Sequence, residues 1–216
     1  MIRTNFILTV CLFPLFLFSQ NKSNNLVNTN GKFELGIRST LSTFTSTGNI
    51  GQGYGGQFRI RLGKRINTEW YADYINENIA GLATRNELHV GWSIMIYPFS
   101  TYNSKISPYV IVGHCFDKAT ISTVNTGAID YTPISESRVS AATQLGIGTN
   151  INLTDHFDIS LSGQYMVHLG DDLHASVHDE DGHHEIHIEK HSGGNLSLDG
   201  HVLFTISINY KIFDLW

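Results

Sequence analysis

The chain has 216 residues, 41% hydrophobic and only 15% charged, with 20 Gly, 4 Pro and 2 Cys. That charged fraction is well below the roughly 25% of soluble globular chains, and the apolar residues are interleaved with Ser, Thr, Asn and Gly. The combination argues against both a helical membrane protein and a highly solvated one. With 14 Lys+Arg against 19 Asp+Glu the formal charge is −5 and no basic cluster stands out, so a nucleic-acid partner has no electrostatic footprint.

Arg3 precedes an apolar run from Phe6 to Phe18 that ends in Ser19-Gln20 before the polar NKSNN. The run is shorter than the roughly 20 residues of a membrane-spanning helix, so residues 1–20 read as a secretory signal peptide. Cys11 leaves with it, and the mature chain keeps Cys115 alone, which excludes an intramolecular disulfide framework and reads as a packed wall residue. Residues 21–30 then form a short N-terminal periplasmic segment.

From Gly31 onward the alternation has period two, broken by Gly, Asn, Ser and Asp clusters, and predicts an all-β chain. In the first strand Phe33, Leu35 and Ile37 oppose Glu34, Gly36 and Arg38. The second sets Phe58, Ile60 and Leu62 against Gln57, Arg59 and Arg61, with GQGYGG (51–56) read as a loop before it. In the third, Trp70, Ala72 and Tyr74 oppose Glu69, Tyr71 and Asp73. The fourth is the cleanest: Leu88, Val90, Trp92, Ile94 and Ile96 against Glu87, His89, Gly91, Ser93 and Met95. The fifth, from Pro108, is apolar on both sides and leaves its register open. The sixth, seventh and eighth put Val139, Leu145 and Ile147, then Phe157, Ile159, Leu161 and Tyr165, then Phe204, Ile206, Ile208 and Tyr210 on their apolar faces.

Short links follow the second, fourth and sixth strands, and long polar links follow the first, third, fifth and seventh. Together with strands long enough to cross a bilayer at a tilt, this predicts an eight-stranded antiparallel up-and-down transmembrane β-barrel over residues 31–216. Its polar face then lines a lumen in which Arg38, Arg59, Arg61 and Arg138 meet Glu34, Glu69, Asp73 and Glu87. Eight strands leave room for side chains rather than a diffusion pore. Trp70, Tyr74, Trp92, Tyr97, Tyr165 and Tyr210 read as the outward aromatic stripe.

The segment LGIGTNINLTDHFDISLSGQY, with Gly146, Gly148, Leu153, Thr154, Asp155 and Tyr165, together with PYVIVGH, resembles the small outer-membrane barrels of the outer membrane protein A type. It is similar to the barrel-only members common in Bacteroidetes. The resemblance implies an outer-membrane location, contact with outer-membrane lipid, and the barrel assembly machinery as a partner during biogenesis. Such barrels end on an aromatic assembly signal, a role open here to Phe213 or Trp216.

Seven of the eleven histidines fall between His168 and His191, in the longest outer link, about 168–195. Read as a hairpin turning at Asp179 to Gly182 and continuing the flanking strands outward, it gathers Leu173, Ala175, Val177, Ile186 and Ile188 on one face. The other face carries His174, Ser176 and His178 opposite His183, Glu185, His187, Glu189 and His191. In that register His178 pairs with His183 and His174 with His187, close enough for two imidazoles to share a Zn, Cu or Ni ion, with Glu185 and His191 in reach. A clustered-histidine pH switch is the other reading of this link.

The expected function is a non-enzymatic barrel that presents loops at the surface and binds transition-metal ions through the hairpin. An outer-membrane lipid-modifying enzyme is the alternative in another class. His191 and Ser192 with Glu189 are its only local candidates, and neighbours in a strand point to opposite sides, so no catalytic residue is assigned. A soluble lipocalin-like carrier would turn the apolar face inward.

Overall fold

The computed structural model describes residues 31–44, 49–99, 104–124, 133–170, 172–180, 183–191 and 200–216. The expected signal peptide, the 21–30 segment and the tip of the histidine-rich link at residues 181–182 lie outside the described residues. Ten strands follow in order: β1 Lys32–Phe44, β2 Ile50–Arg61, β3 Ile66–Ile79, β4 Ala83–Ile96, β5 Ile106–Thr123, β6 Ser135–Asn152, β7 Phe157–Leu169, β8 Asp172–Glu180, β9 His183–His191 and β10 Gly200–Asp214. Eight of them close an antiparallel barrel in the order β1-β10-β7-β6-β5-β4-β3-β2, and β8 and β9 form a separate two-stranded sheet.

Alternation decides what faces where. Ile37, Val139 and Ile147 are each about 70% exposed, whereas Glu34, Arg38, Arg59, Glu69, Asp73 and Glu87 are almost fully buried. The apolar face therefore points outward and the charged face inward, the reverse of a water-soluble barrel. The outer surface carries aromatic ladders along neighbouring strands. Phe58 stacks on Trp70 at 5.9 Å, Trp70 meets Trp92 at 6.1 Å, and Phe157 meets Tyr210 at 4.9 Å. Tyr97 leaves the expected stripe: it shares the inward parity of Met95, is buried, and accepts a hydrogen bond from Asn150 Nδ2 at 2.8 Å. In β5 the open register resolves with Tyr109, Ile111, Cys115 and Asp117 inside and Val110, Val112 and Phe116 outside.

Two readings of the connections change. GQGYGG belongs to β2, where Gly53 and Gly55 face the interior; a Cβ at Gly55 would run into Asp73 and the carbonyl of Ala72. The link after the third strand is the tight turn Ala80-Gly81-Leu82, closed by Leu82 N–H donating to Ile79 O at 2.9 Å. There β3 and β4 continue past the apolar zone with Asn76 and Asn86 outside, hydrogen-bonded to each other at 2.8 Å, so the outward face turns polar and the hydropathy alternation fades.

The β8–β9 hairpin does not prolong β7 and β10. Leu173 and Ala175 are buried in one apolar cluster with Ile79, Ala83, Ala119 and Ile121, and Ile186 and Ile188 pack against it. Arg85 Nη2 donates to Leu173 O at 2.9 Å and Lys190 Nζ to Ser137 O at 3.0 Å. The hairpin is a plug in the mouth opposite the chain ends. Burial drives it there, because an upright hairpin would leave this apolar face in water.

Candidate functional site

The two strands of the plug contain the sequence-predicted metal residues. Strand register pairs His178 with Glu185, His174 with Glu189 and Ser176 with His187. This is two residues away from the expected His178–His183 and His174–His187 pairing, because the chain reverses between Glu180 and His183 rather than over Asp179 to Gly182. The direct cross-strand partners of His174 and His178 become carboxylate residues, and that of His187 is Ser176. His187 is exposed and His174 half-buried. For His178, His183, Glu185 and His191 only the backbone is described, and Ser192 lies outside the described residues.

Beneath the plug the interior is a chain of charge contacts that begins near the chain ends. Asp158 Oδ1 lies 3.7 Å from Arg59 Nη1, and Arg59 Nε donates to Glu69 Oε2 at 2.8 Å. The other Glu69 oxygen receives Arg38 Nη1 at 3.2 Å, and Arg38 Nε lies 3.1 Å from Asp73 Oδ1. Arg38 also sits over the Tyr71 ring at 4.3 Å. Further out, Arg85 Nε faces Glu87 Oε1 at 3.1 Å and Arg138 Nη2 donates to Asp117 Oδ2 at 3.3 Å. Sequence reading found this ladder in outline, but Arg61 sits half-buried near the end rather than in the sealed interior, stacked at 5.6 Å on Tyr97. Glu77, Arg85, Asp117 and Asp158 also belong to it. Among the described residues seven buried carboxylates (Glu34, Glu69, Asp73, Glu77, Glu87, Asp117, Asp158) face four buried guanidiniums (Arg38, Arg59, Arg85, Arg138). Lys211, near the chain ends, reaches Asp158 at 3.6 Å.

Three histidines close the outer part of the ladder. His89 Nε2 lies 3.2 Å from Glu87 Oε2 and 3.6 Å from Asp117 Oδ1. His168 Nδ1 lies 3.1 Å from Asp117 Oδ2, and its Nε2 lies 3.2 Å from His201 Nδ1. The His89 and His201 rings stack with centroids 5.8 Å apart. All three rings are buried. One ligand atom from each of Glu87, His89 and His201 lies within 4.8 Å of the others. Sequence reading missed this group because its members are far apart in the chain. The signal was parity: Glu87 and His89 share the inward face of β4, His168 ends the polar face of β7, and His201 precedes Leu203 on that of β10.

The model of the family described as "Outer membrane protein beta-barrel domain" matches residues 10–203. No curated protein matches the sequence. Among solved structures, the attachment invasion locus protein Ail of Yersinia pestis is similar at 14% identity and TM-score 0.52, over 85% of this chain and 99% of that one. Neisserial surface protein A is similar at 11% identity and TM-score 0.52, over 83% and 97%. A major outer membrane protein from Thermus thermophilus is similar at 8% identity and TM-score 0.58, over 83% and 99%. At these identities the likeness is one of fold.

Proposed function

We propose, for a chain that belongs to the outer membrane protein beta-barrel domain family, a non-enzymatic role at the cell surface: a sealed outer-membrane barrel whose plug displays a histidine- and carboxylate-rich face that captures Zn, Cu or Ni ions. One observation carries the reading, the two-faced hairpin. Leu173 and Ala175 are buried against the barrel, while His187, on the opposite face, is exposed. Neutral imidazole with a carboxylate across the strand is a donor set for these ions, and direct cross-strand neighbours lie about 4.5 to 5.5 Å apart. His174 and Glu189, and His178 and Glu185, are such neighbours, with His183, His187 and His191 on the same strand as the two glutamates.

The outward apolar face suits outer-membrane lipid as its surroundings. Phe213, half exposed and stacked on Phe33 at 5.3 Å, suits an aromatic signal read by the assembly machinery. The filled interior and the plug favour a closed barrel over a pore. The test is calorimetric titration of the refolded mature protein with Zn²⁺, Cu²⁺ and Ni²⁺, beside a variant carrying His174→Ala, His178→Ala, His183→Ala and His187→Ala. Micromolar or tighter binding that weakens in the variant supports surface capture. Binding that the four substitutions leave unchanged removes the hairpin from it.

A further inference from the structure

We propose that Glu87, His89 and His201 form a second, buried site for a first-row divalent transition-metal ion, inside the barrel and beneath the plug, with Asp117 and His168 as its supporting partners. The proposal does not rest on surface capture by the hairpin. Its first support is geometry. A four-coordinate ion with ligands at about 2.0–2.1 Å spaces them about 3.4 Å apart. The three ligand atoms within 4.8 Å of one another need close by little more than an ångström.

The second support is an unmet demand at His89. The ring is fully buried, and its Nδ1 has no hydrogen-bond partner among the described residues. When Nε2–H donates to Glu87, the Nδ1 lone pair is left bare in the interior, a costly state that a cation relieves. Charge is the third. Among the described residues the interior holds seven buried carboxylates against four buried guanidiniums, with Lys211 reaching Asp158 from the end, and burying an excess of one sign far from water is unfavourable without a counter-ion.

The arrangement behind the ligands is also that of a metal centre. A ligating histidine is usually held through its other ring nitrogen. Here His201 Nδ1 meets His168 Nε2 at 3.2 Å, and His168 Nδ1 meets Asp117 Oδ2 at 3.1 Å, a carboxylate–imidazole relay that fixes the orientation of the His201 ring. Two imidazoles and one carboxylate select a borderline ion such as Zn²⁺ rather than Ca²⁺ or Mg²⁺, which take oxygen ligands. Arg85 spans the site and the plug: its Nε faces Glu87 and its Nη2 holds Leu173 O. Metal occupancy and plug seating therefore share a residue.

The test uses the mature barrel with the hairpin silenced by His174→Ala, His178→Ala, His183→Ala, His187→Ala and His191→Ala. It is refolded in detergent with Zn²⁺ or Co²⁺ present, so that the ion need not pass a seated plug, and then desalted. The expected result is about one retained equivalent of metal, with the visible bands of four-coordinate Co²⁺. Glu87→Gln and His201→Gln, each added to that background, are expected to lower retention roughly tenfold or more while the heat-modifiable gel mobility of a folded barrel persists. A folded hairpin-silent parent that retains no metal overturns the proposal, whether or not the two variants fold, and makes the cluster a hydrogen-bonded network only. Retention unchanged in both variants overturns it too.

Discussion

Nε2 of His168 and Nδ1 of His201 lie 3.2 Å apart inside the barrel, so one ring gives a proton to the other's lone pair and the two tautomers are set together. Since the far nitrogen of His168 lies 3.1 Å from Asp117 Oδ2 and 3.3 Å from Ser140 Oγ, the relay has a direction, with Nδ1–H turned to these acceptors and Nε2 accepting from His201 when both rings are neutral. His168→Leu keeps bulk and removes both contacts. The expected cost is about 1–3 kcal/mol, read from the urea midpoint of the folded gel band. A smaller loss for His168→Gln, which can still hydrogen-bond, would tie the cost to the relay rather than to packing.

Glu69 holds Arg59 with one oxygen and Arg38 with the other, all three buried. Glu69→Ala takes the shared carboxylate from two buried guanidiniums, leaving Arg38 with Asp73 and Arg59 with the more distant Asp158, and is expected to cost about 3–5 kcal/mol. At the rim the Lys32–Asp214 pair, 3.4 Å apart with half of the Asp214 side chain exposed, is the control: Asp214→Ala is expected to cost under about 1 kcal/mol. Equal losses at the two sites would mean that the interior is far wetter than the burial indicates.

Gly148 faces the Tyr109 ring, and a Cβ there would collide with it, while Tyr109 is held in place by the bond between its hydroxyl and Ser160 at 2.8 Å. Gly148→Ala is expected to destabilise the barrel by about 1–3 kcal/mol through overpacking. Gly163→Ala, where the added Cβ would meet Phe204 no nearer than 3.5 Å, is expected to be nearly neutral in the same urea series. A neutral Gly148→Ala would mean that the ring swings aside at no cost.

Ala80 sits at φ 52° beside Gly81 at φ 74°, a left-handed pair in the turn from β3 to β4. The first position strains an alanine and suits asparagine, so Ala80→Asn is expected to stabilise by about 0.5–1 kcal/mol. A fall in the urea midpoint would show that the turn does not keep this geometry.

Leu173, at 0% exposure, is set deeper than Ala175, its neighbour on the buried face of the plug. Leu173→Asp places a carboxylate among Ile79, Ala83, Ala119 and Ile121 and is expected to unseat the hairpin without opening the ring. Single-channel recording in planar bilayers should then show larger or more frequent openings than the parent. Identical traces would show that the ladder below seals the barrel unaided.

Much of this architecture is legible in the sequence because inside and outside alternate strictly. Leu88 to Ile96 against Glu87 to Met95 fixes β4, and the seventh and eighth predicted strands become β7 and β10 with their faces unchanged. Legibility fails where the outer face stops being apolar, as at Asn76 and Asn86, and where glycines erase the pattern, as in GQGYGG. The histidine-rich link announces itself by composition, yet its pairing depends on where the chain reverses, and a shift of two residues gave His174, His178 and His183 carboxylate residues as cross-strand partners and His187 a serine. Glu87, His89, His168 and His201 carry no local motif. They meet only because three strands, β4, β7 and β10, lean the same parity inward, a relation that needs closure and register together.

The position of the plug within the chain bears on how the barrel is completed. The ring is shut by β10 pairing with β1, from Lys32 opposite Asp214 to Phe44 opposite His201, and the hairpin is made before β10. The strand that seals the wall thus emerges after the piece that fills the mouth. Leu173 and Ala175 find their apolar bed on β3, β4 and β5, none of which borders the β1–β10 seam, so the bed of the hairpin is independent of the seam. His201 stands on the seam strand itself, so the histidine cluster is complete only where the wall is closed.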